Sequence, residues 1–340
     1  MRGANVEISV VMAVYNGEKY LKEAIDSIRS QTFGNFEFII INDGSTDTTS
    51  EIIFSYSDPR IVYLENETNK GLVYSLNRGL SSSKGKYIAR MDADDIALPQ
   101  RLQIQFNYME AHPEIGICGS NVEAFFNTKK KSVIIRFPKT DKLIKVFPFF
   151  QSPFSHPSVI MRKETLVKNN LSYTDKFLHA EDYALWVELL RYTKAYNIPR
   201  VLLRYRIHEA SVTAGTRTDK SFINSVLIQN KYIQDKNITI SFDDTVLFSR
   251  FTNRHENYSL NADDQQTIDR ILENFFSQLF EKQKKDYPVA MDFVSSACFY
   301  RFLKGRKYPQ MPFLKKLYWK GLRVFIKKLP IYLNRFLTQS

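Results

Sequence analysis

In the first third of the chain, short and nearly unbroken apolar runs alternate with longer segments whose apolar positions recur at helical spacing. Glu7 to Val14 and Phe36 to Ile41 are runs of the first kind and predict strands buried on both faces. Between them, Tyr20, Leu21, Ala24, Ile25 and Ile28 fall on one face of a helix over Glu18 to Ser30. A helix capped by Asp47 follows through Ser55, then a strand over Arg60 to Leu64, a helix over Gly71 to Leu80 and a strand over Lys86 to Met91. Such repeats predict right-handed crossovers and an α/β fold, a mostly parallel sheet flanked by helices. Gln100 to Glu110 reads as a further helix, and Ile115 to Gly119 and Ser132 to Phe137 as strands. Pro138, Pro148, Pro153 and Pro157 then punctuate a loop-rich middle. A helix over Ala180 to Arg191 and a strand over Pro199 to Ile207, ending at His208, complete an α/β body over 1–215. From about Thr216 the pattern is helical, which makes 216–340 a C-terminal helical appendage.

In sheets of this kind ligands bind at the carboxyl ends of the strands. Three polar clusters fall there: Tyr15-Asn16-Gly17, Asn42-Asp43-Gly44-Ser45 and Asp92-Ala93-Asp94. One alone would be an ordinary turn; three converging on one crevice predict a site. No G-x-G-x-x-G follows the first strand, so the crevice is not a dinucleotide fingerprint. The third cluster belongs to Arg90-Met91-Asp92-Ala93-Asp94-Asp95, three carboxylates at the end of a buried strand. Charge there is costly unless a cation or hydrogen bonds compensate it. A hard divalent ion shared with a substrate diphosphate would do so; an acidic loop capping the helix near Pro99 is the plainer alternative. Glu181-Asp182 opens a helix, where carboxylates suit the dipole and where one aimed outward can serve as a base.

With 340 residues, 44% of them hydrophobic, the chain can bury a large core plus an appendage. Cys118 and Cys298 alone exclude a disulfide framework and a cysteine-ligated metal, and suit a reducing compartment. Neither a leader-like start nor a membrane-spanning apolar run is present, so the expected location is cytoplasmic. The net charge of +12 is uneven: after Asp292 the chain carries 11 basic and no acidic residues. Leu314, Tyr318, Leu322, Phe325 and Leu329 form a stripe opposite Lys316, Lys320, Arg323 and Lys327, with Trp319 at the boundary and Pro330 as the stop. That predicts an interfacial helix on the anionic inner face of a membrane, the alternative being a helix packed on the body. Nucleic acid is disfavoured, because the body lacks a matching basic surface.

Five stretches carry a resemblance in combination: Ser9-Val10-Val11-Met12-Ala13-Val14-Tyr15-Asn16, Ile41-Asn42-Asp43-Gly44-Ser45-Thr46-Asp47, Asn69-Lys70-Gly71, Ala89 to Asp95, and Glu181-Asp182. From Val6 to Thr213 the chain resembles the family-2 inverting glycosyltransferases of the GT-A fold, with Ala13 where proline often stands. The resemblance implies a nucleotide-sugar donor, UDP-linked by family habit. Ala13, Tyr15, Asn16 and Asp43 would hold base and ribose, with Asp43 accepting from the uracil imide and Tyr15 packing on the ring. Gly71 would line the same pocket, and Arg90, Asp92 and Ala93 would contact the donor. Asp94, with Asp92 and His208, would bind Mn²⁺ or Mg²⁺, imidazole favouring manganese. Asp95 reads as a loop or helix partner. Asp182 would be the base and Glu181 would orient the acceptor or its loop. Arg204 and Arg206 share a strand face and could reach phosphate oxygens. Trp186 is either an acceptor platform or core, while His156 and His179 lie near the expected acceptor side.

The implied reaction is metal-dependent transfer of one sugar, with inversion, to a hydroxyl of a lipid-linked or polysaccharide acceptor in surface-glycan synthesis. A processive synthase is disfavoured, since Q-x-x-R-W and membrane spans are absent. The competing readings are a non-catalytic nucleotide-sugar-binding scaffold and a nucleotidyltransferase. A homo-oligomer is compatible with all of them.

Overall fold

A computed structural model of the chain describes residues 6–126, 129–208, 219–252 and 262–286, with 288, 290 and 291. Two compact units divide it: Met1–Lys145 with Ser152–Asn224, and Val146–Gln151 with Ser225–Ser340. The expected division after residue 215 and the basic tail helix over 314–329 both lie outside the described residues.

The first unit is built on a nine-stranded sheet. Its parallel part is β1 (Ile8–Val14), β2 (Phe36–Asn42), β3 (Ile61–Glu65) and β4 (Tyr87–Arg90), in the order β3-β2-β1-β4. The crossovers are α1 (Leu21–Arg29), α2 (Thr49–Phe54) and α3 (Leu72–Ser82). Every residue of β1 and β2 is buried, because helices cover both faces. Successive side chains go to opposite faces. Val10, Met12 and Val14 share one core cluster with Leu21, Ala24, Ile25 and Ile28 of α1. Val11 and Ala13 share the other with Leu76 of α3. Burying each such aliphatic side chain contributes about 1.5–3 kcal/mol.

Beyond β4 the sheet becomes mixed. Next come β5 (Ile96–Ala97), α4 (Arg101–Ala111), β6 (Ile115–Phe126), β7 (Lys129–Ile135), α5 (Asp141–Val146), β8 (Ile160–Arg162), α6 (Lys163–Lys168), α7 (Glu181–Leu189) and β9 (Lys194–Ile207). The order continues β4-β8-β6-β9-β5, with β7 on the outer part of β6. Strand β8 is antiparallel to β4 and β6; β9 is parallel to β6 and antiparallel to β5. Both β6 and β9 run longer than their apolar patterns predict. Pro199 does not begin β9: the β6–β9 register shifts between Ser120 and Asn121, opposite Ile198 and Val201, and the proline sits at that irregularity.

The second unit contains most of α8 (Asp219–Asp235), α9 (Phe242–Thr252) and α10 (Ala262–Lys282). Its core is aromatic, with Phe149, Phe248 and Phe275 fully buried and Phe275 centred 5.6 Å from Phe149 and 5.1 Å from Phe248. Gln229 Nε2 ties the 146–151 segment into this core by donating to the Phe149 carbonyl at 2.5 Å. No helix among the described residues is long and apolar enough to cross a membrane.

Candidate active site

Neighbouring parallel strands β1 and β2 end together, Val14 opposite Asn42, and their terminal loops are laced to each other. Asn16, in the left-handed region at φ 49°, donates from its backbone to Ser45 Oγ at 2.9 Å and accepts from Thr46 N at 2.8 Å. Glu18 N donates to Asp47 Oδ2 at 3.0 Å, and Thr48 Oγ1 donates to Glu18 Oε2 at 2.8 Å. Asp43 is buried and turned to the loop after β3: Oδ1 accepts from Asn66 Nδ2 (2.6 Å) and Lys70 N (2.9 Å), Oδ2 from Gly71 N (2.9 Å). One lone pair of Oδ2 remains for a further donor. Asn66 Nδ2 also donates to Ser75 Oγ, and its Oδ1 accepts from Arg78 Nη1 at 2.6 Å.

Two glycines make this packing possible. Gly44 has φ +68°, and a Cβ there would lie 2.5–2.7 Å from the Thr68–Asn69 backbone. Gly71 has φ +88° and open space where its Cβ would be. Gly44→Ala combines backbone strain with a clash against main chain and is expected to cost about 2–5 kcal/mol; Gly71→Ala, strained only, about 1–3. Thermal unfolding of both variants tests this, and equal losses would refute the role given to the Gly44–loop contact.

Strands β4 and β5 bracket the acidic turn. Carboxylate oxygens of Asp92, Asp94 and Asp95 lie within 4.8 Å of one another. Asp95 is fully buried: Oδ1 accepts from Arg206 N at 2.8 Å, and Oδ2 has no partner among the described residues. Burial, reinforced by Asp92 and Asp94, pushes its pKa well above the ordinary carboxylate range. Burial raises that of Asp92 too, against the opposing pull of Arg90, whose Nη2 donates to Asp92 Oδ1. His208, just past the end of β9, stands with Nε2 2.9 Å from Asp94 Oδ2. Beneath the turn, buried Arg101 donates from Nη2 to the Arg90 carbonyl at 2.6 Å; desolvation brings its pKa down to about 9.

The second acidic pair opens α7. Asp182 is partly exposed and its Oδ1 accepts from Tyr183 N at 2.7 Å. Burial first, then the Glu181 carboxylate, push it up to about 7; Asp92 adds to the rise, which puts both acidic groups in one electrostatic neighbourhood. Buried Trp186 helps hold Asp182 down, although among the described residues its Nε1 finds no partner at hydrogen-bond geometry. Arg90 also reaches this side: its Nε donates to His156 Nε2 at 3.3 Å, and Tyr173 OH lies 2.8 Å from the same nitrogen. Burial and the Arg90 charge press the His156 pKa far below the usual histidine value, so the imidazole is neutral.

The sequence profile described as "Glycosyl transferase family 2" matches residues 9–171. An uncharacterized glycosyltransferase of Haemophilus influenzae is 35% identical over 242 residues, 68% of this chain and 73% of the relative. The chain belongs to glycosyl transferase family 2. It is also 33% identical over 210 residues to the O-antigen biosynthesis glycosyltransferase WbnJ of Escherichia coli, 60% of this chain and 81% of that protein. In fold it resembles S. aureus TarS 1–349, solved in complex with UDP-GlcNAc, with a TM-score of 0.60 at 19% identity over 89% of this chain and 93% of TarS. The chain is therefore a glycosyltransferase with the GT-A fold.

Within this glycosyltransferase, Tyr15, Asn16, Asp43, Gly71, Arg90, Asp92, Ala93, Asp94, Glu181, Asp182 and His208 lie at the carboxyl ends of strands or on the loops and helix starts beside them. Tyr15 is half exposed at the rim, while Ala13 belongs to the core beneath. One expectation needs correction. Arg206 is buried and committed internally, Nε to the Asp94 carbonyl at 2.7 Å and Nη2 to Glu23 Oε2 at 2.6 Å, so it holds the acidic turn rather than reaching for phosphate. Arg204 pairs with Glu123 at 3.2 Å and covers Phe125. Trp186 is fully buried among Phe154, His156 and Tyr173 and is core, not an acceptor platform. His179 is exposed with φ 64°, directly before α7. Asn66, Arg101 and Tyr173 went unnoticed in the sequence. Asn66 closes a strand end like the three clusters that were singled out, and Arg101 is a cation in the first turn of a helix, where the dipole disfavours it.

Proposed function

We propose that this glycosyltransferase transfers one sugar, with inversion and dependent on a divalent metal, from a UDP-linked donor to an acceptor hydroxyl. The observation that carries the reading is the acidic turn, with a buried Asp95 Oδ2 that has no partner among the described residues and the 2.9 Å approach of His208 Nε2 to Asp94 Oδ2. The His208–Asp94 contact brings an imidazole and a carboxylate to the same point of the acidic turn, and oxygen donors with one imidazole are a ligand set that suits a divalent cation. Asp94 and His208 would hold the ion, Asp92 would reach it directly or through water, and Asp95 would stabilise the turn from beneath. The hard oxygen donors fit Mg²⁺ or Mn²⁺, and the imidazole favours Mn²⁺. When bound, such an ion neutralises charge on the diphosphate.

The protein's own groups do the rest. The laced loops after β1 and β2 form the floor for base and ribose, with Tyr15 on the rim and the free lone pair of Asp43 for an imide N–H. Asp182, near neutrality in pKa, takes the proton of the acceptor hydroxyl as its oxygen bonds to the anomeric carbon and the bond to the diphosphate oxygen breaks. Glu181 keeps that base poised by repulsion. The kinship with an O-antigen biosynthesis enzyme supports a glycan acceptor of the cell surface, lipid-linked or polymeric; the excess of basic residues after Asp292 supports peripheral attachment to the inner membrane face through the C-terminal segment.

The test is release of free nucleotide diphosphate from UDP-, GDP- and dTDP-sugars with Mn²⁺ or EDTA, water replacing the acceptor. Slow turnover of a UDP-sugar, lost in EDTA, is expected. Failure of every nucleotide sugar both to turn over and to raise the melting temperature would overturn the proposal.

A further inference from the structure

Helix α3 holds the Asp43 carboxylate at two points. Gly71 N, at the helix start, donates to Oδ2 at 2.9 Å, and Asn66 Nδ2, itself bound to the helix, donates to Oδ1 at 2.6 Å. Asn66 follows β3 and is buried. Its Nδ2 has a second acceptor in Ser75 Oγ at 2.8 Å, and its Oδ1 accepts from Arg78 Nη1 at 2.6 Å. The same Arg78 nitrogen donates to the Glu65 carbonyl at 2.5 Å. Ser75 and Arg78 stand three residues apart on one face of α3, so the helix grips the Asn66 amide at both its nitrogen and its oxygen.

Chemistry fixes which end of that amide meets Asp43. A guanidinium only donates and an ionised carboxylate only accepts, so the Asn66 oxygen must face Arg78 and its nitrogen Asp43. Both bonds have a charged partner and belong to the stronger class of hydrogen bond. Without Arg78 the buried Asn66 oxygen loses the donor that holds it, a cost the amide relieves by turning toward another. Turning draws Nδ2 away from Asp43 Oδ1.

At stake is the direction of one lone pair. Oδ1 of Asp43 uses both of its lone pairs on Asn66 Nδ2 and Lys70 N, and Oδ2 uses one on Gly71 N. Three donors pin the carboxylate against rotation and give the remaining Oδ2 lone pair a fixed aim. An acceptor held in this way suits a base whose ring edge offers an N–H, as uracil does. It repels a base that offers a bare ring nitrogen there, as cytosine does.

We infer that Arg78, acting through Asn66, is a positioning residue for base selection: it fixes the Asp43 carboxylate and so sets the preference for a uracil over a cytosine nucleotide. The inference rests on the base-binding role proposed above for Asp43. Arg78 needs no contact with the nucleotide to do this, because the Asn66 amide carries its hold to the carboxylate.

The experiment is calorimetric titration of UDP and of CDP onto the full-length chain with Mn²⁺ present, because the two nucleotides share ribose and diphosphate and differ at the ring edge. Arg78→Met is expected to lower the UDP-to-CDP affinity ratio about tenfold, and Asn66→Ala to lower it about as far. Arg78→Lys, whose ammonium has donors for both acceptors, should restore most of the ratio. Adding Arg78→Met to Asn66→Ala should change the ratio no further, since the two residues act in series. Should Arg78→Met melt too low to titrate, Arg78→Gln takes its place with the same expectation. A merely structural loosening of α3 weakens both nucleotides alike and leaves the ratio where it was. That result would overturn the inference, and so would losses that add in the double variant. Asp43→Asn separates the inference from the reading beneath it. An unchanged ratio in that variant removes Asp43 from the base pocket, and the inference falls with it. A ratio that collapses in Asp43→Asn but holds in Arg78→Met sinks the inference alone.

Discussion

Asp182→Asn is expected to lower kcat by about 10²–10⁴, the range a positioned general base supplies, with donor affinity and metal binding nearly unchanged. Asparagine keeps the size and can still accept from Tyr183 N, so α7 should start in the same place. The wild-type pH profile carries the stronger test. Burial and Glu181 hold Asp182 at about 7, so the base is ionised above that pH and protonated below it. Log kcat/KM should rise with pH at a slope of about one up to roughly neutrality and then level off. Glu181→Gln removes the like charge and should move the break to lower pH, because the second-largest upward influence on Asp182 is gone. A flat profile between pH 5 and 8, or an Asn variant of normal kcat, would remove Asp182 from the reaction.

How much of this was legible beforehand depends on how local each feature is. Strands β1 and β2 are buried on both faces and therefore read as continuous apolar runs, so their placement follows from composition alone. Strands β5 and β8 have two and three residues, too few for any periodicity, and β8 hides among the prolines of the middle. Strand β6 continues through Ser120 and Asn121, polar residues whose burial in a central strand has no sequence signature. The candidate site shows the same division. Its strand-end clusters were visible because each lies within a few residues of an apolar run. The fate of Arg206 was not: alternation puts it on a face with Arg204, but its partner Glu23 is 183 residues away. Arg101 was hidden for the same reason, its place being explained by a carbonyl that only the fold brings near.

Asp94→Asn is expected to reduce metal-dependent transfer by about 10²–10⁴, several kcal/mol of charge stabilisation at the departing diphosphate. The turn itself should survive. Its backbone is held by Arg206, which donates from Nε to the Asp94 carbonyl and from N to Asp95 Oδ1, and neither bond uses the Asp94 side chain. The variant should therefore melt near the wild-type temperature while losing the shift that Mn²⁺ produces in the presence of UDP. His208→Ala makes the finer distinction. If the imidazole is a ligand beside Asp94, its removal should cost more with Mn²⁺ than with Mg²⁺ and erase any preference between them, since Mg²⁺ is content with oxygen. If His208 only hydrogen-bonds Asp94, both metals should lose activity equally. Arg206→Met separates support from ligation: it removes the side-chain donor to the Asp94 carbonyl, keeps the backbone N–H that Asp95 accepts, and leaves Glu23 without its buried partner. It should lower the melting temperature and weaken metal binding together, whereas Asp94→Asn lowers only the second. A stable Asp94→Asn enzyme that still answers to Mn²⁺ would move the cation elsewhere and take the metal-dependent reading with it.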